Sequence, residues 1–384
     1  MQETIGETIE PVSINISPLD EVHRQSGATM IERNGWSVPS SYGDVLFEYA
    51  AVRERGAGLI DLSSRGRLVV SGSEAVQFLN GLITNDMKTL AENHWMPAAF
   101  PNVQGRLLAS VRVVRQSHQL TNGSSSFLID TEPATHAQVR KTIERFTLAG
   151  DFHVTDLTDQ TALLSIQGAD ANNIVQTLFG DGASGLKLNQ LIDISWAQTS
   201  LTIIRASHTA ADGFDLIIEA KSAAALWQAL IGAGARPLGF DALEILRVEA
   251  GEPRFGIDMD ETNVVSETGL DDAVSFTKGC YLGQEIIARI KYRGHVAKKL
   301  SGLTVAAPGN IERDAKINSA DGKEIGRVTS VTFSPHLGST IALGYLKYDY
   351  LSPGTEVMVS AGEAALAARV VALPFVWGGE AIET

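Results

Sequence analysis

Cysteine is nearly missing from this chain: its 384 residues include one, Cys280. A single thiol excludes an intramolecular disulfide framework and fits a reducing compartment. It also excludes a self-contained iron–sulfur site, which usually takes four cysteine ligands. Long apolar runs are missing too. The longest weakly polar stretch, "SAAALWQALIGAGA", is too short to span a bilayer. The opening "MQETIGETIEPVSINIS" has no basic region leading into an apolar run, so no signal peptide is expected. Together these point to a cytoplasmic protein with no membrane partner. Positive charge is in deficit: 31 Lys and Arg stand against 45 Asp and Glu, for a net charge of −14. That excludes a nonspecific nucleic-acid binder, which needs a surplus of Lys and Arg to meet phosphates. The eight histidines show no pair at metal-ligand spacing, so no metal site is expected.

What is present suits a globular protein with a large core: 44% hydrophobic and 20% charged residues, in a chain long enough for two or three domains. One internal echo stands out. "LVVSGSEAVQFLNGLI" begins at Leu68 and "LLSIQGADANNIVQTLF" at Leu163. Each has a short apolar run that reads as a strand. Gly72, Glu74 and Ala75 follow in one, Gly168, Asp170 and Ala171 in the other. Each then has helical spacing, Phe78, Leu79, Leu82 and Ile174, Val175, Leu178. Two half-domains of one pattern facing each other across a shared site would explain the echo; chance would too, since strand–turn–helix units are common. From about Lys299 the texture changes to short runs rich in Val, Ile, Thr and Tyr. Turn residues such as Asp321-Gly322 and Pro353-Gly354 separate them, which predicts a small all-β barrel or sandwich. "GAGARPLG" follows a helical stretch and contains proline, so it reads as a helix end and loop, not a dinucleotide loop.

The stretch "FTKGCYLGQE", Phe276 to Glu285, holds the lone cysteine. Gly279 and Gly283 bracket it and allow a sharp turn. "QEIIARIKYRG" from Gln284 reads as a helix with Ile286, Ile287 and Ile290 on one face and a stop at Gly294. Cys280 is thus expected in a loop just before a helix N-terminus, two residues from Lys278. Both features favour a thiolate. The alternative is a packed, inert cysteine.

"AVSFTKGCYLGQEIIARI", Ala273 to Ile290, strongly resembles the motif of YgfZ-type folate-binding proteins, the iron–sulfur cluster assembly and repair factors. These are relatives of the glycine-cleavage T-protein, an aminomethyltransferase. "SPLDEVHRQSGATMIERNGWSVPSSYGD", "GAGLIDLSSRGRLVVSGSEAVQFLNGLITND", "DGFDLIIEA" and "LRVEAGEPRFG" resemble the T-protein in the same order. The resemblance implies an α+β fold: two interlaced α/β (ferredoxin-like) subdomains around a central pocket, plus a C-terminal antiparallel β-barrel. The expected boundaries are a flexible tail over 1–17, the folate-binding domain over 18–298 and the barrel over 299–384. It implies tetrahydrofolate or a one-carbon derivative as cofactor and iron–sulfur client or assembly proteins as partners. Cys280 and Lys278 become the candidate catalytic residues. Asp215, Arg247, Asn102, Gln284 and Tyr281 become the candidate folate contacts.

The departures count as well. In T-proteins the strand after Asn-x-x-Gly carries a catalytic aspartate; here the stretch is "NVQGRLLASVRVV" and the matching positions are Ala109 and Ser110. Neither a methyl group nor a hydroxyl can replace a carboxylate in proton transfer. An expected arginine is Leu243. Asp215 is the shortened carboxylate for the pterin edge, or else a strand-end carboxylate; Arg247 is a ligand group, or else an ion-pair partner of Glu249 or Glu244. Three readings follow. The first is a tetrahydrofolate-binding protein that supports iron–sulfur enzymes through Cys280. The second is a tetrahydrofolate-dependent aminomethyl- or methyltransferase. The third is a binding module without chemistry.

Overall fold

The computed structural model describes residues 14–116, 126–145, 147–148, 150–307, 309–377 and 380–381. Two α/β units and a barrel make up the body. The first unit is a five-stranded antiparallel sheet in the order His94–Pro101, Leu107–Arg115, Ser126–Thr131, Gly66–Ser71, His153–Asp156. Helices Ala75–Leu82 and His136–Glu144 pack on one of its faces. Their Leu79, Val139 and Ile143 meet Leu68, Val70, Phe100, Val111 and Phe127 in one apolar cluster. The second unit has a six-stranded sheet built from Leu191–Trp196, Thr199–Arg205, Gly213–Glu219, Thr161–Gln167, Gly58–Asp61 and the short Arg236–Pro237. Helices Ala171–Phe179 and Ala223–Gly232 cover it, with Ile174, Leu226 and Trp227 against Leu164, Ile203 and Phe214.

The chain order shows how the units interlace. Gly58–Asp61 belongs to the second sheet, and five residues later Gly66–Ser71 starts in the first; Thr161–Gln167 carries the chain back. Val114 and Leu128 of one sheet meet Leu191, Ile204 and Ala206 of the other in a separate apolar cluster, which closes the interface between them.

The sequence echo is a structural repeat. The Gly66–Ser71 strand turns into helix Ala75–Leu82 and the Thr161–Gln167 strand into helix Ala171–Phe179. Gly72 and Gly168 sit at φ +126° and +130°. A Cβ on either would lie 2.1 Å from the Asp151 carbonyl oxygen or 2.4 Å from that of Gly56. Those same carbonyls accept the Glu74 and Asp170 amides at 3.2 and 2.9 Å. Glycine is required because the backbone of another segment crosses the turn and is hydrogen-bonded there.

Helix Phe240–Glu249 leads out of the second unit, and helix Gln284–Arg293, stopped at Gly294, leads into the barrel. The barrel closes as Lys298–Val305, Ser339–Lys347, Glu324–Ser334, Lys316–Ser319, Glu356–Ala361 and Ala364–Val371, every pair antiparallel. Closure leaves no open edge strand. The expected architecture of two interlaced α/β units and an antiparallel barrel is therefore the one observed. The tail expected over 1–17 needs correction at its end. Asn15–Ile16 pairs with Trp36 and Ser37, and the buried Ser17 hydroxyl donates to Asp61, so these residues belong to the body. Residues 1–13 lie outside the described residues. Among the described residues no helix is long and apolar enough to cross a membrane, and no group of three His, Cys, Asp or Glu is placed to hold a metal ion.

Candidate functional site

A cleft of about 820 Å³, counted out to its open mouth, lies where the two α/β units meet the segment after helix Phe240–Glu249. Its apolar wall comes from Val38, Leu62, Phe240 and Leu243; its charged groups are Arg33, Arg65, Glu132, His208, Arg247, Glu252 and Arg254. Leu243, where the resemblance leads one to expect an arginine, thus forms apolar wall in this chain.

A chain of buried charges links the units beneath the cleft. Arg112 lies on the strand Leu107–Arg115 and points at the second unit. Its guanidinium is 2.8 Å from Asp130 on the neighbouring strand and donates at 2.6 Å to Asp215 of the second sheet. Arg65 closes on Asp130 at 2.7 Å, and His208 lies 3.0 Å from Asp215. Arg65 and His208 both open onto the cleft, so the chain of charges begins and ends at its wall. Burial alone would raise the Asp215 carboxyl, but the charges of His208 and Arg112 and the hydrogen bonds to it hold it well below the ordinary carboxylate range. Asp130 is likewise held down, against its burial, by Arg65 and Arg112.

Asp215 is fully buried and occupied by these partners, and it is not part of the cleft wall. The groups that do face the cleft from this network, His208 and Arg65, were not singled out in the sequence. His208 lies in a loop with no motif around it. Arg112 and Asp130 had a signal: each is a charge set inside an otherwise apolar strand, "LLASVRVVR" and "SFLIDT".

Arg247 lies on the cleft wall, but its guanidinium is largely committed. It pairs with Glu244, donates at 2.5 Å to Asp258, at 2.7 Å to the Ser330 hydroxyl and at 3.1 Å to the Glu252 carbonyl. Of the two ion-pair partners considered, Glu244 is one and Glu249 is not; Glu249 is held by Arg53 and by the Tyr49 and Ser334 hydroxyls. Asp258 also accepts from Thr329 and Ser330, so Arg247 and Asp258 fasten the barrel to the cleft's rim. Arg254 donates to Glu244 at 2.6 Å, and burial pushes its pKa down to about 10.

Two carboxyls on the cleft wall have no such partner. Glu132 and Glu252 make no ion pair among the described residues. Glu132 accepts only a long contact, 3.5 Å, from the Phe255 amide. Burial raises the Glu132 carboxyl, offset in part by Arg65 and Arg254. Glu252, which lines the same cleft, is exposed to solvent.

Ala109 and Ser110 sit on opposite faces of their strand, as alternation requires. Ala109 is fully buried in the first unit's apolar core; Ser110 shares the face of Arg112. Ala109, expected to mark the missing aspartate, therefore points away from the second unit. Ser110 is the position from which a side chain would reach the interface.

The remaining candidates form a second locality. Cys280 is exposed, in the loop before helix Gln284–Arg293. Gly283, at φ +78°, packs so closely on the Asn102 turn that a Cβ would sit 2.3 Å from the Asn102 carbonyl oxygen. The Asn102 carboxamide oxygen accepts the Gln104 and Arg106 amides at 2.9 and 3.0 Å and so shapes that turn. Tyr281 is buried beside Leu107, Val265 and Ile287, and burial pushes its pKa up to about 12. The Gln284 amide reaches back toward the Gly279 carbonyl at 3.5 Å. None of Asn102, Tyr281 or Gln284 lines the cleft.

Lys278 has a different task from the one expected. It is buried, and its ammonium donates to the carbonyls of Asn80, Ile83 and Asn85 at 2.8, 2.9 and 2.6 Å. Those carbonyls end helix Ala75–Leu82, so Lys278 caps that helix's C-terminus. Burial pushes its pKa down to about 8. With its donors spent on three carbonyls, it is not a free cation for the Cys280 thiol.

Comparison with known proteins fits this architecture. Residues 19–278 match the GCVT N-terminal domain and residues 298–376 the glycine cleavage T-protein C-terminal barrel domain. An aminomethyltransferase of Symbiobacterium thermophilum is 33% identical over 378 residues, covering 94% of this chain and 97% of its own. One from Halalkalibacterium halodurans is 31% identical over 364 residues, with the same coverage of 94% and 97%. The crystal structure of the glycine cleavage system aminomethyltransferase T from Bartonella henselae superposes with a TM-score of 0.87 at 25% identity, over 97% of this chain and 100% of that one. The chain belongs to the glycine cleavage T-protein family.

Proposed function

We propose that this protein binds tetrahydrofolate, or a one-carbon derivative of it, in the cleft between the two α/β units and acts as a one-carbon transferase of the aminomethyltransferase kind. The observation that carries this is the cleft itself. It has an apolar wall of Val38, Leu62, Phe240 and Leu243 for a flat ring, and guanidinium groups beside it for the ligand's carboxylates. The relatives' name, aminomethyltransferase, supports the reaction class. Asp215 contributes by fixing His208 at the wall, and Arg247 by holding the rim. The domain division follows the same logic: residues 18–298 bind the ligand, and the barrel, from Lys299 on, closes the rim as Thr329 and Ser330 donate to Asp258.

The test is turnover. The purified protein is given tetrahydrofolate and a lipoyl carrier bearing an aminomethyl group. Folate-dependent release of ammonia with formation of methylenetetrahydrofolate supports the reading; binding of folate without turnover rejects the transferase part of it.

A second reading has its own observation. Cys280 is the only cysteine, it is exposed, and it stands in the K-G-C-Y-L-G-Q-E loop that resembles YgfZ-type proteins, while neither Ala109 nor Ser110 supplies a carboxylate. In that reading the protein binds folate and supports iron–sulfur client or assembly proteins through the Cys280 thiol. Loss of iron–sulfur enzyme activity in cells carrying Cys280→Ser, together with absent turnover, would select it.

A further inference from the structure

The loop between strands Thr199–Arg205 and Gly213–Glu219 carries His208 to the cleft wall. Loops ordinarily run over the surface and need little buried polar support. This one is clamped from below. Gln167 is fully buried, and its carboxamide oxygen accepts the His208 amide at 3.0 Å and the Thr209 hydroxyl at 3.3 Å. Its nitrogen donates to the Ala206 carbonyl at 3.2 Å. Arg53 donates at 2.9 Å to the Thr209 carbonyl. Ala210 is held at φ +56°, in the left-handed region that a side chain disfavours. Burying such polar groups costs desolvation. What the loop gains in return is a fixed place for His208.

The imidazole is fixed as well. Its Nε2 lies 3.1 and 3.0 Å from the two oxygens of Asp215, which is fully buried and also accepts from Arg112 at 2.6 Å. A carboxylate only accepts, so Nε2 carries the proton. Near neutral pH Asp130 and Asp215 are already balanced by Arg65 and Arg112, so nothing in this chain of charges calls for a second proton on His208. That leaves a lone pair on Nδ1, which has no partner among the described residues. The guanidiniums on the same wall only donate. Nδ1 is a neutral acceptor locked among them.

We propose that His208 Nδ1 is the acceptor that reads an N–H group of the bound pterin ring, with Asp215 and Arg112 as positioning residues that set its tautomer. The inference rests on the reading of the cleft as a tetrahydrofolate site. Asp215 then acts on the ligand through His208 and does not touch it. An acceptor whose backbone and ring are both held before the ligand arrives loses little freedom on binding, which is the property a recognition group needs.

Two substitutions separate the two ring nitrogens. His208→Asn puts an acceptor where Nδ1 stands and does not reach Asp215. His208→Gln reaches Asp215 with a donor where Nε2 stands and leaves no acceptor at Nδ1. Tetrahydrofolate titrated into each full chain by calorimetry should bind His208→Asn nearly as tightly as the parent. It should bind His208→Gln about ten- to a hundredfold more weakly, the effect of leaving a ligand N–H unpaired. A histidine that only steadies the loop through Asp215 gives the reverse order or equal affinities, and either result overturns the inference while leaving the folate site standing. A second measurement needs no variant to fold. In the parent with 15N-labelled histidine rings, His208 should show the neutral tautomer protonated at Nε2, and its Nδ1 resonance should move when tetrahydrofolate is added. An imidazolium at neutral pH, a proton on Nδ1 or an unmoved Nδ1 resonance overturns the inference. Absence of any binding heat or thermal stabilisation in the parent overturns the folate reading and the inference with it.

Discussion

Replacing Arg112 with leucine is the sharpest test of how the cleft is held. The guanidinium joins two carboxylates that belong to different α/β units, at 2.8 Å to Asp130 and 2.6 Å to Asp215. Removing one partner of a buried ion pair costs about 3–5 kcal/mol because the other charge stays buried. Two such pairs are lost here, but each carboxylate keeps a second partner, Asp130 its Arg65 and Asp215 its His208. The total should therefore be near that of one pair, about 3–5 kcal/mol, rather than twice it. That is a large share of the roughly 5–15 kcal/mol that ordinarily separates folded from unfolded protein. The pH dependence has a definite sign. Asp130 and Asp215 have folded pKa values depressed below the unfolded value of about 3.9. Their contribution is complete above that value and is lost as pH falls through the folded pKa. Without Arg112 the raising effect of burial is opposed by less, so the folded pKa moves up and the loss begins at a higher pH. Urea unfolding of the parent and Arg112→Leu, followed from neutral pH downward, reads both effects. Adding Asp215→Asn to Arg112→Leu should recover part of the loss, since one stranded charge is gone. A variant within about 1 kcal/mol of the parent at neutral pH, with a parallel pH profile, would refute this account.

Lys278→Met should destabilise the chain by about 2–4 kcal/mol, because three carbonyls at the end of helix Ala75–Leu82 lose a charged donor; an unchanged unfolding midpoint would refute the cap. Gly283→Ala should cost about 1–3 kcal/mol, since it adds a Cβ at φ +78° against the Asn102 carbonyl; parental stability would mean the contact is slack. Cys280→Ser should melt like the parent, because the side chain is exposed, and the parent's thiol should be alkylated in the folded state. A thiol that reacts only on unfolding would return Cys280 to the role of packing.

Much of the fold was legible because the repeated turn has a steric cause that shows in the residues. Gly72 and Gly168 are where another segment's carbonyl crosses, so the glycines, the acidic residue and the alanine recur with the geometry. The barrel was legible from its short β-rich runs. The site was legible in outline only. Asp215 and Arg247 both proved close to the cleft, yet spacing along the chain cannot tell a carboxylate that faces a ligand from one consumed by Arg112 and His208. Lys278 shows the same limit. Two residues from Cys280 in sequence, it points instead to the end of a helix some 195 residues earlier in the chain, at Ile83. Glu132 and His208 carried no signal, because what distinguishes them is the absence or presence of partners brought by distant segments. The missing carboxylate falls at Ala109 and Ser110, and only the strand's alternation reveals that Ser110 holds the face turned to the interface.

The central claim is that a reduced folate occupies the cleft between the two α/β units. A crystal structure of the full chain grown with tetrahydrofolate tests it most directly. The account predicts the ligand's ring against Leu62, Phe240 and Leu243, with Glu132 and His208 within hydrogen-bond reach of it. A cleft left empty at saturating ligand, or a folate bound instead beside Cys280 or on the barrel, would contradict it.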